Sequence, residues 1–169
     1  MQQKKVLIKT LNCRFMIFIT LIISVSGCVN SPNDVVDFET EKIAIQETIN
    51  GETEAAFSRD YEGWKSKWIH EPSLTKTYIN FSDSTFTETL GWKEIDDFVR
   101  TYIEEHPEPD PLPKLIDDIE VRLYGTGAWV SFEQVDKVRG LKRETRLMEK
   151  IDGQWKIAGM HTTIYGLKD

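Results

Sequence analysis

The 169-residue chain sets 28 Asp and Glu against 21 Lys and Arg, a net charge of −7, with 11% aromatic residues and two cysteines. That balance excludes nucleic acid as a partner, because phosphate binding needs clustered Lys and Arg. It also disfavours adsorption onto anionic headgroups, so any membrane attachment must rest on something other than surface charge.

The basic residues Lys4, Lys5, Lys9 and Arg14 form a leader, followed by the apolar run 15–25 (FMIFITLIISV). That run is too short to span a bilayer of about 30 Å, which takes roughly 20 residues. The plan is that of a secretory signal peptide, except that the small residues Val25-Ser26-Gly27 end in Cys28. This is the pattern of a bacterial lipoprotein processing site. Cleavage before Cys28 lets its thiol carry a diacylglycerol and its new amine a third acyl chain. At about 0.8 kcal/mol per buried methylene, two or three chains give stable anchoring. The sequence therefore predicts a signal peptide over 1–27, a lipidated tether over 28–37 and one domain over 38–169. The address is a membrane of the bacterial cell envelope, with no choice between inner and outer.

Cleavage sharpens the composition. Of the 21 Lys and Arg, four leave with the leader, so 17 face 28 acidic residues, a net charge of −11. Cys13 leaves too, and Cys28 alone cannot form an internal disulfide. The remaining 142 residues suffice for one domain with a proper core.

After a polar tether holding Pro32, the pattern turns helical. Asp37 is placed to cap, Glu39 and Glu41 sit in the first turn, and Phe38, Ile45, Ile49 and Ala56 share a stripe. Arg59-Asp60 interrupts, and Asp60 can cap a second helix carrying Tyr61, Trp64 and Trp68 and ended by Pro72. Segments 74–81 and 84–90, rich in Thr and aromatics, read as strands around Ser82-Asp83. Gly91-Trp92 opens a third helix with Ile95, Phe98, Val99 and Tyr102 on one face, and Pro107, Pro109, Pro111 and Pro113 stiffen the connector after it. The last third reads as strands over 115–124, 128–138, 141–151 and 154–165, with a hairpin signal at Asp152-Gly153. The fold class is α+β: three N-terminal helices packed on one face of a curved antiparallel sheet.

Three stretches resemble the nuclear transport factor 2-like (NTF2-like) superfamily, in particular its SnoaL-like and kinase-association-domain branches. Arg59 to Trp64 followed by Trp68 looks like the superfamily's second helix, and Leu90 to Ile95 like the start of its third. Gly153-Gln154-Trp155-Lys156-Ile157, then His161 and Thr162-Thr163, is similar to its closing strand. Gly127 to Phe132 adds to the likeness, which runs over about residues 38–166. The resemblance implies a cone-shaped sheet enclosing a pocket, and a homodimer through the outer sheet face.

Strand alternation groups Val130, Phe132 and Gln134 on one face and Glu144, Arg146 and Met148 on another. In the last strand it separates Lys156, Ala158, Met160 and Thr162 from Trp155, Ile157, Gly159, His161 and Thr163, an order that a bulge would swap. By the resemblance, Arg146 points into the pocket as an anion clamp, backed by Phe132, Gln134, Met148 and Met160. Its planar fork suits a carboxylate. The alternative is an ion pair of Arg146 with Glu133, Glu149 or Glu144. Trp64, Trp68, Trp92, Tyr102 and Tyr78 are further candidates to line the cone.

The candidate general bases are His161, weakened by its place on the Trp155 face, and a carboxylate such as Glu133 or Asp136. The three histidines share no metal-ligand spacing, and no phosphate loop, nucleophile elbow or dinucleotide fingerprint occurs, so neither metal nor cofactor is implied. The leading expectation is a lipid-anchored domain binding a small, partly apolar ligand, with a carboxylate in view, or a partner. The alternatives are an isomerase- or dehydratase-like enzyme and a structural envelope dimer.

Overall fold

The structure, a computed structural model, describes residues 37–136 and 139–166. Cys28, the leader and the tether up to residue 36 lie outside the described residues. The described part belongs to one compact unit, Val36–Asp169.

Helix α1 (Phe38–Ser58) has Glu39 and Glu41 in its first turn, where carboxylates complement the helix dipole. Asp37 does not cap a backbone N–H; its carboxylate instead accepts from the Thr40 hydroxyl at 2.5 Å. The buried stripe is Ile45, Ile49, Glu52 and Ala55, while Phe38, expected on it, is exposed. The helix stops at Arg59, whose φ of 64° leaves the helical region.

Asp60 then accepts the Gly63 N–H at 2.9 Å and starts α2 (Tyr61–Lys65). This helix is shorter than the aromatic spacing predicts. Residues 67–69 leave it to run beside the last strand, with the Ile157 N–H donating to Lys67 O (2.8 Å) and the Ile69 N–H to Ile157 O (3.0 Å). Trp68 is thereby placed against the sheet and not on a helix face.

Six strands follow: β1 (Thr75–Asn80), β2 (Thr85–Leu90), β3 (Glu120–Tyr124), β4 (Gly127–Asp136), β5 (Gly140–Ile151) and β6 (Gln154–Gly166), with α3 (Trp92–Glu105) between β2 and β3. They form a curved, unclosed sheet in the order β2-β1-β6-β5-β4-β3. Every neighbouring pair is antiparallel except β1 and β6, which run parallel, so the sheet is mixed where a purely antiparallel one was expected. Side-chain alternation encodes which face a residue takes and says nothing of strand direction.

Strand β3 is also shorter than predicted. The Ile116 carbonyl accepts from Gln46 Nε2 (3.0 Å) and Asn50 Nδ2 (2.9 Å), and its N–H donates to Asn50 Oδ1 (2.9 Å). Ile116 thus satisfies its backbone on α1, the Ile119 N–H donates to Asp118 Oδ1 (2.9 Å), and Ile116 and Ile119 close the core. The hairpin at Asp152-Gly153 has positive φ at both residues (50° and 79°), as a tight turn between twisted strands requires.

The inner face of the sheet meets the helices around Ile45, Ile49, Trp64, Leu74, Ile95, Val130, Met148 and Ile157, all essentially solvent-free. Of the stripe predicted on α3, Ile95 is buried while Phe98 and Tyr102 are exposed; Asp96 is buried as well. The Asp96 carboxylate accepts from the Tyr61 hydroxyl and pairs with Arg100 Nη2 at 2.5 Å, joining α2 to α3. Burial and that carboxylate push the Tyr61 hydroxyl up to about 12.

Candidate functional site

The alternation expected from the sequence puts Ala128, Val130 and Phe132 of β4, and Glu144, Arg146 and Met148 of β5, on the inner face. On β6 the order is swapped. The register slips between Leu147 and Met148, which pair with Gly159 and Ile157 and leave Ala158 as the extra residue of a bulge. Trp155 and Ile157 before the bulge, and Met160, Thr162 and Ile164 after it, therefore all face inward. His161 falls on the outer face, exposed, in register with Thr145 and Thr77, its nearest side-chain partner the Thr163 hydroxyl at 3.4 Å. Of the general-base candidates, His161 is outside the cone and Glu133 is exposed and paired with Arg143.

Two rows of side chains cross the inner face. One runs Tyr78, Thr162, Glu144, Phe132; the next runs Lys76, Met160, Arg146, Val130. At their centre is Arg146, only 4% exposed. Its Nε and Nη2 donate to Glu144 Oε2 at 3.1 and 2.7 Å, and Nη2 lies 3.7 Å from Glu52 Oε2. The other Glu144 oxygen accepts from Lys142 Nζ at 2.8 Å, and the other Glu52 oxygen from Trp64 Nε1 at 2.9 Å. Burial works against charge on both Glu144 and Arg146. The attraction of Arg146 and Lys142 nonetheless holds the Glu144 carboxyl below its ordinary value, and Glu144 and Glu52 hold Arg146 above its own.

Glu144 is thus the partner among the three that the sequence offered; Glu133 pairs with Arg143 instead. Glu52 was missed, although a signal existed: position 52 continues the apolar stripe of Ile45 and Ile49, where a carboxylate needs a buried cation.

This network leaves three buried polar atoms without a hydrogen-bond partner among the described residues: Arg146 Nη1, Trp68 Nε1 and Thr162 Oγ1. All three belong to side chains on or against the inner face. The Arg146 Cζ lies 5.9 Å from the centroid of the Trp68 ring, and Thr162 neighbours both Met160 and Glu144 on the same face. Such atoms are rare in folded proteins, and leaving each one unpaired costs about 1–3 kcal/mol.

Of the residues expected to line a pocket, Arg146, Phe132, Met148, Met160, Trp68 and Tyr78 gather on this inner face. Tyr78 is half-buried, its hydroxyl 3.9 Å from Met160 Sδ. The remaining four serve elsewhere. Trp64 is core, its N–H spent on Glu52 and its ring stacked on Trp92 (5.6 Å) and tilted by 44° against Trp68 (5.8 Å). Trp92 stacks in turn on His70 at 4.0 Å. Gln134 donates to the Lys114 carbonyl at 2.9 Å. Tyr102 stacks on His106 beneath Arg59, which also pairs with Asp110 (2.7 Å) and so fastens the Pro-rich connector.

Arg146 itself is buried. Two open clefts lie elsewhere: one of about 360 Å³ beside Trp129, Leu147 and Tyr124, and one of about 410 Å³ along Phe98, Tyr102 and Thr89. Among the described residues no group of three or more His, Cys, Asp and Glu is arranged to hold a metal ion, and no helix is long and apolar enough to cross a membrane.

Comparison with known proteins agrees with this architecture. A cystatin-like fold protein from Burkholderia xenovorans is 20% identical, covers 75% of this chain and 92% of its own, and superposes with a TM-score of 0.56. An NTF2-like superfamily protein from Salmonella enterica is 22% identical, covering 78% and 94%, also at 0.56. A candidate dehydratase of the NTF2-like family from Streptomyces avermitilis is 16% identical, covering 75% and 96%, again at 0.56. No family model and no curated protein matches the chain. The fold is that of the NTF2-like superfamily. At these identities the likeness carries the fold and not an activity, since one fold hosts many functions.

Proposed function

We propose that the domain binds a small ligand with a carboxylate and a partly apolar body at Arg146, and that lipid on Cys28 holds it at the envelope membrane. The observation that carries the binding reading is the trio of unpartnered buried atoms, Arg146 Nη1, Trp68 Nε1 and Thr162 Oγ1. Two are N–H donors, the third a hydroxyl that can donate, and a carboxylate accepts from all three. Met160, Phe132 and the Trp68 and Tyr78 rings supply the apolar surroundings. The processing pattern at Cys28 supports the anchor. Pairing of two copies through the outer sheet face is part of this proposal, supported by exposed Trp129, Leu147, Leu90 and Phe86 on that face.

One observation favours a second reading. The rings of Trp64, Trp68 and Trp92 pack against one another in the core, as in a scaffold that binds nothing. The two readings separate on the Trp68 indole N–H resonance, identified by Trp68→Phe. In the binding reading, adding benzoate to the full-length protein shifts that resonance; in the scaffold reading it stays still.

Thr162→Val tests the unpaired hydroxyl itself. Replacing it by a methyl group of the same shape removes an unmet polar group, so the free protein gains roughly 1 kcal/mol in denaturant unfolding while the benzoate response weakens. A loss of stability instead means the hydroxyl serves the fold, which contradicts the binding reading.

A further inference from the structure

We infer that Lys76 supplies the charge that selects an anionic ligand for this cone, and that Arg146 supplies only direction; the inference rests on the binding reading above. The charges around Arg146 already balance. Arg146 and Lys142 are matched by Glu144 and Glu52, and the guanidinium spends Nε and Nη2 on them. A ligand carboxylate meeting Nη1 is the third carboxylate in that cluster. Like charges brought together out of water repel strongly, so the site needs one more cation to accept an anion in preference to a neutral ligand.

Lys76 is that cation. It shares the inner-face row of Met160 and Arg146. Its Nζ lies 6.0 Å from the Trp68 ring centroid, 5.6 Å from that of Tyr78 and 5.8 Å from that of Phe98. The Trp68 ring therefore meets both Lys76 and Arg146. On α3, Asp97 pairs with Lys93 at 2.6 Å, Glu94 lies 3.9 Å from the same ammonium, and Asp96 pairs with Arg100. Glu88 of β2 is in register with Thr77 and so faces the opposite side of the sheet. Among the described residues no carboxylate lies within ion-pair reach of Lys76. Rings hold an ammonium by their quadrupole while leaving its charge unneutralised, ready for a carboxylate.

Lys76 and Tyr78 are half-buried and Phe98 is exposed, so this is the side from which solvent reaches the inner face. The ligand class that fits is a monoanion with a flat apolar body, its plane among Trp68, Tyr78 and Phe98 and its carboxylate between Lys76 and Arg146 Nη1.

Benzoate and its neutral counterpart benzamide are titrated into the purified full-length protein, wild type, Lys76→Met and Lys76→Arg, following the Trp68 indole N–H. The expected result is benzoate binding about tenfold or more tighter than benzamide in wild type, the size of one charged hydrogen bond. Lys76→Met abolishes that preference and leaves benzamide unchanged, while Lys76→Arg restores it. If benzoate shifts Trp68 and Lys76→Met keeps the wild-type preference, this inference is overturned and the binding reading stands. If benzoate leaves Trp68 unmoved in wild type, both fall.

Discussion

Glu144→Gln is expected to destabilise the folded domain by about 3–5 kcal/mol, because it removes one partner of a buried pair and leaves the other charge stranded. The Gln amide keeps the shape of the carboxylate, so packing is preserved and the loss reports charge. The single amide oxygen can still accept from Arg146 or from Lys142 but not from both, and Glu52, at 3.7 Å, is left as the one carboxylate paired with Arg146. Urea unfolding followed by circular dichroism measures the change; a loss under about 1 kcal/mol shows that the pair is not holding the inner face together.

The same pair sets the acid limit of stability. Burial raises the Glu144 carboxyl, but Arg146 and Lys142 outweigh it, so the folded-state value lies below the ordinary 4.5. A group lowered on folding contributes its full stability above its unfolded value and loses it as pH falls through the folded value. Wild-type stability should therefore hold above about pH 4.5 and decline below it, and the decline should be shallower in Glu144→Gln.

The second large effect concerns location. Cys28→Ser is expected to move the protein from the membrane to the soluble fraction, since each acyl methylene contributes about 0.8 kcal/mol and the apolar run 15–25 is too short to replace them. Cell fractionation and mass of the N-terminal peptide read the outcome. Retention of an unprocessed Cys28→Ser chain in the membrane shows that the leader is itself the anchor, and the lipoprotein reading fails.

How much of this was legible in the sequence follows from what each signal encodes. Alternation grouped Phe132 with Val130 in β4 and Arg146 with Met148 in β5, and both groupings hold because the β4–β5 register runs without a shift there; that the two groups share the inner face was implied by the resemblance. In β6 one extra residue at Ala158 reversed the grouping, and no residue type announces it. The parallel pairing of β1 with β6 was equally invisible, being decided by how the chain returns from α3 and the connector.

Periodicity misplaced Phe98 and Tyr102 because an amphipathic stripe shows which residues share a helix face and not whether a neighbour covers it. The helical reading of Trp68 failed because backbone bonds to Ile157 outcompeted one more helical turn, and this placed its indole beside Arg146. Glu52 and Lys76 were legible only in part: each is a charge on a stripe of apolar or aromatic neighbours, whose role depends on a strand or helix distant in sequence.

The most direct measurement is a high-resolution crystal structure of the protein purified from its native host, inspected around Arg146. The account predicts density for a small molecule whose carboxylate accepts from Arg146 Nη1 and Trp68 Nε1, with its apolar part toward Tyr78. Arg146 Nη1 and Trp68 Nε1 both bonded to protein groups, with the tryptophan layer closed over them, would contradict it and leave the scaffold.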